Sequence, residues 1–425
     1  STPTAPVATP SLVDGTILRA GRAMLGGLSL WTWQVAPVDA GRVDDPSSSH
    51  RMLADIPLLA PGAAGTTIEV SLPVDVGLAA RGPAQADAPV GEVLSAWLPG
   101  SMQAAATAWA QALGPGHSAL LRWVDLDGGT GLRAVAPSTL VLTGAAAGPA
   151  QATAVVIDAQ HLPTGALLQL DGIGFAAVLG AAALQSDDGV HRVLGNEAAQ
   201  VFTLGAGPDD VDGGAGDDVP RTGGGDDRLQ GDVGNDVLDG GTGLDHALYA
   251  GLRAGMRFSR TATGWSVADT SGREGIDTLT GIERLVFADG RVALDLEGHA
   301  GTVAKVIGAL FGPSALNDRV LVGLGLAGMD AGAAESELVA AALASDRFAA
   351  LAGSRSDEDF VKLVYRNVTG VDAAAEVVAS FVQQLASGTE TQASLALMAS
   401  ELALNAQHID LVGLAASGLE YLPGG

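Results

Sequence analysis

The sequence predicts a multidomain β + α protein: an N-terminal β-rich, sandwich-like domain with a helical insertion, a central parallel β-roll, and a C-terminal α-helical domain. Three observations predict it. Short apolar alternations separated by Gly, Pro and Asp turns fill the first 190 residues. Five nonapeptides then run in strict register from Leu204 to Leu248. From about Gly298 the apolar spacing becomes helical. These changes of period set the expected boundaries: 1–190 for the β-rich domain, 191–250 for the roll, 251–297 for an irregular β segment flanking it, and 298–425 for the helical domain.

In the first region, Leu28 to Val35 places Trp31, Trp33 and Val35 on one face, and Thr66 to Leu72 alternates Ile68, Val70 and Leu72 against Glu69 and Ser71. Leu120–Val124, Leu140–Thr143 and Ala154–Ile157 are further strand candidates. One helical excursion interrupts them. Ser101 is a candidate cap for a run to Leu113 with Ala105, Ala106, Trp109 and Leu113 on one stripe, and Gly114-Pro115-Gly116 ends it. The most apolar window, Gly165 to Leu184, is broken by Asp171 and several glycines. It reads as strands packed in a core rather than a membrane span.

The nonapeptides are LGAGPDDVD, GGAGDDVPR, TGGGDDRLQ, GDVGNDVLD and GGTGLDHAL, each fitting the calcium-binding template G-G-x-G-x-D-x-U-x, with U a large apolar residue. The sixth place is always aspartate: Asp209, Asp218, Asp227, Asp236 and Asp245. The eighth holds Val211, Pro220, Leu229, Leu238 and Ala247. A Gly-rich half turns sharply and brings carbonyls toward a common point, the aspartate adds a hard charged oxygen, and Ca²⁺ takes six to eight such ligands. Two nonapeptides should make one turn, with an ion between repeats i and i+2 and on the order of three ions in all. The expected metal-ligating set is Asp209, Asp218, Asp227, Asp236 and Asp245, with Gly213, Ala215, Gly224, Gly231 and Val233 from the turning halves. The register has flaws at Leu204 and Thr222 in the first place, Asp232 in the second, and Pro220, a poor strand residue beside which one edge should be loose. An acidic flexible linker would show no such phase among glycine, aspartate and apolar residues.

The repeats resemble those of the repeats-in-toxin (RTX) proteins exported by Gram-negative bacteria. Gly275-Ile276-Asp277-Thr278-Leu279-Thr280-Gly281-Ile282-Glu283-Arg284-Leu285-Val286-Phe287, then Ala288-Asp289-Gly290, looks like the D-x-L-x-G-I-E-x-L-x-F-x-D-G segment that often follows RTX repeats. Farther on, Thr302–Phe311, a run from Ser336 and Glu337 toward Phe348, Ser356-capped Asp357–Val368 stopped by Gly370, Ala373–Leu385 and Gln392–Asn405 are expected helices. Phe360-Val361-Lys362-Leu363-Val364-Tyr365-Arg366-Asn367-Val368-Thr369-Gly370 resembles the Φ-V-x-x-L-Y-x-N-V-x-G signature of a small helical domain of unassigned function found beside RTX repeats, departing at Val364. The terminus from Ile409-Asp410-Leu411-Val412-Gly413 to Tyr421-Leu422-Pro423 resembles that family's terminus, though Gly424-Gly425 is less usual. Ala154 to Pro163 and Gln169 to Gly180 look like a segment preceding the roll in surface-layer RTX proteins of proteobacteria. The resemblance implies a one-step transporter that reads an uncleaved C-terminal secretion signal.

Composition narrows the function. Acidic residues outnumber basic ones 48 to 22, giving a formal net charge of −26, which argues against nucleic acid and against electrostatic attachment to an anionic membrane. Between Leu204 and Leu248 eleven aspartates face two arginines, so without cations this segment should repel itself open. The apolar fraction of 47% is enough for real cores. There is no cysteine, so disulfides are not the source of stability. Ser1 to Pro6 has neither the basic region nor the apolar core of a signal peptide; either a leader was removed or none is needed.

No enzyme is expected. The seven histidines (His50, His117, His161, His191, His246, His299, His408) include no pair four apart, so the H-E-x-x-H zinc motif is absent. Gly116-His117-Ser118-Ala119-Leu120 lacks the last glycine of a G-x-S-x-G elbow and precedes a strand rather than a helix. Asp125-Leu126-Asp127-Gly128-Gly129 reads as a β-turn before a further calcium loop. The tryptophans read as core or interface, since no spaced carboxylate pair accompanies them. The reading is a secreted calcium-binding structural protein of the bacterial cell surface or surroundings. It self-associates into a surface layer or array, with outer-membrane polysaccharide a candidate partner. The alternative is a calcium-dependent adhesin that binds a host or matrix glycan.

Overall fold

The structure, a computed structural model, describes residues 10–25, 28–42, 53–58, 68–72, 78–84, 89–114, 118–126, 139–144, 151–162 and 165–423. Residues 1–6, 50, 66–67, 115–117, 127–129, 163 and 424–425, on which parts of the sequence reading rest, lie outside the described residues, as does the side chain of Ser118. The chain forms two compact units: Ser1–Asp245 with Val267–Gly281, and His246–Ser266 with Ile282–Gly425.

In the first unit the strands Ser11–Val13, Thr16–Leu25, Leu28–Val35, Leu78–Pro83 and Ser118–Asp125 form an antiparallel run. The same sheet then turns parallel, through Gln151–Asp158, Phe175–Leu179, Arg192–Leu194, Asp210–Asp212 and Arg228–Gln230. A second sheet begins antiparallel with Ala54–Pro57, Ile68–Leu72 and Thr139–Gly144. It continues parallel through Leu167–Asp171, Ala183–Ser186, Val201–Thr203, Val219–Arg221, Val237–Asp239 and Ile276–Thr280. From Ser118 to Asp239 successive strands alternate between the two sheets, so parallel pairing starts well before the first nonapeptide.

Burial explains the sequence pattern along this stack. Val155, Ile157, Leu168, Leu170, Ala176, Val178, Phe202 and Val211 belong to one core. Ala154, Val156, Phe175 and Ala177 belong to another, shared with Val93, Leu94, Met102 and Ala106 of two helices. Strands such as Phe175–Leu179 are buried on both faces, and this is why they read as continuous apolar runs. The three-residue strands of the nonapeptides bury only the middle residue. The helical excursion is two helices, Val90–Trp97 and Gly100–Ala112. Ser101 does not cap the second: Pro99 holds the extended N-cap position, with no side-chain cap, so Ser101 falls within the first turn. Trp109 stacks on Phe175 at 4.2 Å between ring centroids.

The second unit pairs His246–Leu248, Arg284–Phe287, Gly290–Ala293 and Leu419–Tyr421 in one sheet. The helix His299–Phe311 is apolar almost all round and is buried accordingly. Around it pack Arg319–Asp330, Glu335–Ala344, Asp346–Ala352, Asp357–Thr369, Gln392–Ser400 and Ala403–His408, while Ala375–Ala386 lies against Asp357–Thr369 and Leu411–Ser417 against Ala403–His408. Ser356 Oγ accepts the Asp359 N–H and Gly370 ends that helix at φ 76°, as its sequence requires. The run toward Phe348 breaks at Ser345, whose side chain caps the next helix. The run from Gln392 breaks after Ser400, where buried Asn405 donates to the carbonyls of Lys305 and Ser400. Arg319–Asp330 and Leu411–Ser417 are helices that the apolar spacing did not signal.

Arg284 is fully buried in this unit and pairs with Asp295 and, at 2.7 Å, Asp330. Removing one partner of a buried ion pair strands the other charges, at a cost of about 3–5 kcal/mol. Arg284→Ala should therefore lower the unfolding free energy of the second unit, read from urea unfolding, by that amount; a loss below about 1 kcal/mol would show the pair to be solvated.

Candidate metal centre

The turning halves of the nonapeptides are linked at a spacing of two repeats. Gly213 N–H donates to Gln230 O, Ala215 N–H to Asn196 O, Gly224 N–H to Gly205 O, and Val233 N–H to Gly214 O. Ala215 bridges Val233, and Gly224 bridges Thr242, in parallel. The second-place residues Gly214, Gly223 and Gly241 lie at φ 87–89°, and Asp232, which stands in that place, adopts φ 66°. Aspartate tolerates this left-handed region better than most side chains, so the flaw at Asp232 leaves the turn intact.

The sixth-place aspartates stack in two rows. Asp209, Asp218, Asp227, Asp236 and Asp245 are each at most 1% exposed. One oxygen of each accepts the backbone N–H eighteen residues earlier: His191 to Asp209 and Gln200 to Asp218 at 2.7 Å, Asp209 to Asp227 at 2.7 Å, Asp218 to Asp236 at 2.8 Å, and Asp227 to Asp245 at 2.9 Å. The second oxygen of Asp209, Asp218, Asp227 and Asp236 is buried with no hydrogen-bond donor. A Cβ added to Gly213 would stand 2.6 Å from Asp218 Oδ2, and one on Gly231 2.1 Å from Asp236 Oδ2. First-place glycine thus makes room for the bare carboxylate oxygen.

Burial pushes Asp218 up to about 8, and the neighbouring Asp236, Asp217 and Asp212 add to this. Asp236 is pushed up to about 6, burial again leading, and burial also raises Asp227. Four buried oxygens without donors, three of them (on Asp218, Asp227 and Asp236) on side chains reluctant to ionise, fit a hard cation that would supply the missing positive charge. Among the described residues no three His, Cys, Asp or Glu side chains converge on one point. A cation here would therefore complete its shell from the carbonyls of the turning halves, where Gly213, Ala215, Gly224, Gly231 and Val233 stand.

Pro220 is buried in its strand. Val219 donates to Gln200 O on one neighbouring strand, so the N–H facing the other neighbour belongs to Pro220, which has none. That side keeps a single registered pair, Arg221 with Asp239.

Three residues at the ends of the rows escaped the sequence reading. His191 and Gln200 occupy the sixth place of the turns preceding the repeats. His191 bridges Asp209 Oδ1 at 3.1 Å and Asp187 Oδ1 at 2.8 Å. Burial alone would lower its pKa, but Asp209 and Asp187 outweigh that and raise it. Asp277 accepts the Asp236 N–H at 3.0 Å, and Leu279 pairs with Leu238. The signal for Asp277 was present: Gly272 to Thr280 has glycine in places one and four, aspartate in six and leucine in eight.

Residues 339–408 match the family model of a domain of unknown function (DUF4214). No curated protein and no solved structure matches the chain. No helix among the described residues is long and apolar enough to cross a membrane.

Because the raised carboxyls hold their protons above the ordinary carboxylate range near 4, the metal-free repeats bind more protons folded than unfolded. Their stability is greatest below that range and falls as pH rises through about 6 and about 8. In chelator, the urea midpoint of the repeats should be higher at pH 5 than at pH 8; a midpoint that climbs with pH across this window would contradict the burial of these groups.

Proposed function

We propose that this protein is a secreted, calcium-dependent structural protein in which the nonapeptides form a calcium β-roll of the RTX kind, and that it assembles into a surface layer or extracellular array without catalysing a reaction. One observation carries the calcium reading: the rows of buried aspartates, one oxygen of each bonded to backbone and the other, in four of them, lacking a donor. Calcium in the millimolar range suits such sites, since extracellular modules bind with dissociation constants of about 10⁻⁴ to 10⁻³ M. Self-assembly is supported by the net charge of −26, which holds copies apart until divalent ions bridge carboxylates. Among the described residues Ser11–Val13 and Ala54–Pro57 end their sheets, and Leu12 on the first is 73% exposed, an edge strand suited to pairing with another copy.

Two measurements test this reading. Asp227→Asn keeps an acceptor for the Asp209 N–H but removes the charge, so the calcium midpoint for protease resistance of the repeats should rise about tenfold. Asp239→Asn, in a ninth place, should leave it within about twofold; equal shifts would mean that bulk charge, not coordination, governs the segment. Light scattering and electron microscopy should show ordered arrays at millimolar calcium that disperse in chelator and do not form in sodium of equal ionic strength. Monomers at every protein concentration, with calcium bound, would end the surface-layer reading and leave the adhesin.

A further inference from the structure

The turn Gly195–Thr203 lies before the repeats and carries no carboxylate in its sixth place, yet it is built like the calcium turns. Gln200 occupies that place, is 1% exposed, and its backbone N–H donates to Asp218 Oδ1 at 2.7 Å. Its side-chain Nε2 donates to Gly180 O at 3.0 Å and Asn196 Oδ1 at 2.6 Å. A carbonyl can only accept, so this pair of bonds fixes which end of the amide is nitrogen. Gln200 Oε1 therefore points the other way, buried and with no donor.

Where it points is the informative part. A Cβ built on Gly195 would stand 2.3 Å from Gln200 Oε1 and 2.1 Å from the Gly213 carbonyl oxygen. In the next turns of the same row, a Cβ on Gly213 would meet Asp218 Oδ2 and one on Gly231 would meet Asp236 Oδ2. Gln200 Oε1 thus takes the place against its first-place glycine that the bare aspartate oxygens take against theirs. A Gln carbonyl is an ordinary calcium ligand, and a buried amide oxygen without a donor is costly unless something positive faces it.

We infer that the structure holds a further calcium site, ahead of the repeats, between the turns 195–200 and 213–218, with Gln200 Oε1 and the Gly213 carbonyl as donors and the bare Asp218 Oδ2 beside Gly213. This rests on the reading of the aspartate rows as calcium ligands. It adds an ion that the nonapeptide count does not include and makes the first cation of this row bind through an uncharged side chain. That site fills last as calcium rises.

Native mass spectrometry of the full chain during a calcium titration tests it. Gln200→Met, of similar length and without the donor, should bind one calcium fewer than the unaltered chain. Gln200→Glu should keep the full number and lower the half-saturating calcium of the weakest step about tenfold. An unchanged ion count in Gln200→Met, or a Gln200→Glu chain whose weakest step is unmoved, would overturn the site while leaving the aspartate rows in force. If the unaltered chain bound no calcium at millimolar levels, the underlying reading would fail first. Circular dichroism at millimolar calcium separates lost binding from lost folding, since both variants should keep the strand signal of the unaltered chain there.

Discussion

The nonapeptide part of the first unit depends on one interaction: a buried carboxylate accepting the backbone N–H of the residue eighteen positions earlier. It fixes the two-repeat period, because a carboxylate displaced by one residue would meet a side chain instead of an N–H. It places the apolar eighth residue two positions on, inside the stack, as Val211, Leu229 and Leu238 show at 0% exposure. It also creates the difficulty of the fold, since Asp209, Asp218, Asp227 and Asp236 each bring a second oxygen into a place that water does not reach and the backbone does not satisfy. A charge-assisted hydrogen bond contributes about 1.5–3 kcal/mol, but an unpaired buried charge costs more. Folding this stack therefore requires that the charge be neutralised, by a proton or by a cation.

The upstream turns solve the same packing problem by other means. Between Gln151 and Leu194 every strand except Ala183–Ser186 contributes two or more buried apolar residues, those of Gln151–Asp158 and Phe175–Leu179 on both faces of a sheet, and two helices cover the outer side. The first nonapeptide buries two, Leu204 and Val211, and each of the others buries one. Fully burying a single Leu contributes about 1.5–3 kcal/mol, too little to order nine residues whose backbone entropy alone costs roughly 1–2 kcal/mol apiece. The stack thus grades from a hydrophobic part that resembles an ordinary domain core to a part held by polar ladders, and Gln200 and His191 stand at the transition.

Much of this was legible from residues alone. The phase of Asp209, Asp218, Asp227, Asp236 and Asp245 located the aspartate rows, and the Gly370 stop and Ser356 cap located a helix to within a residue. The upstream parallel pairing was not legible, because a strand buried on both faces loses the alternation that reveals its partners; Phe175 to Leu179 reads only as apolar. Ser101 looked like a cap because its side chain is right, while Pro99 two residues earlier decided where the helix begins. Gln200 and His191 were hidden because their role is set by the backbone eighteen residues away, not by their own chemistry. Asp277 was hidden by distance. Its template is nearly intact, but it stands forty-one residues after Asp236 rather than eighteen.

That step of forty-one has a consequence for how such a chain changes over evolutionary time. The Ile276–Thr280 turn is seated by hydrogen bonds and by the pairing of Leu279 with Leu238, not by continuity with the strand before it. The entropy of closing a loop grows only with the logarithm of its length, about 0.6 kcal/mol for each doubling. Lengthening the connection from eighteen to forty-one residues therefore costs about 0.7 kcal/mol, less than the single carboxylate bond that holds the turn in place. Connections between turns are in this sense open to guests: a segment with its own fold can be spliced into the winding, and the ladder resumes beyond it with its register unchanged.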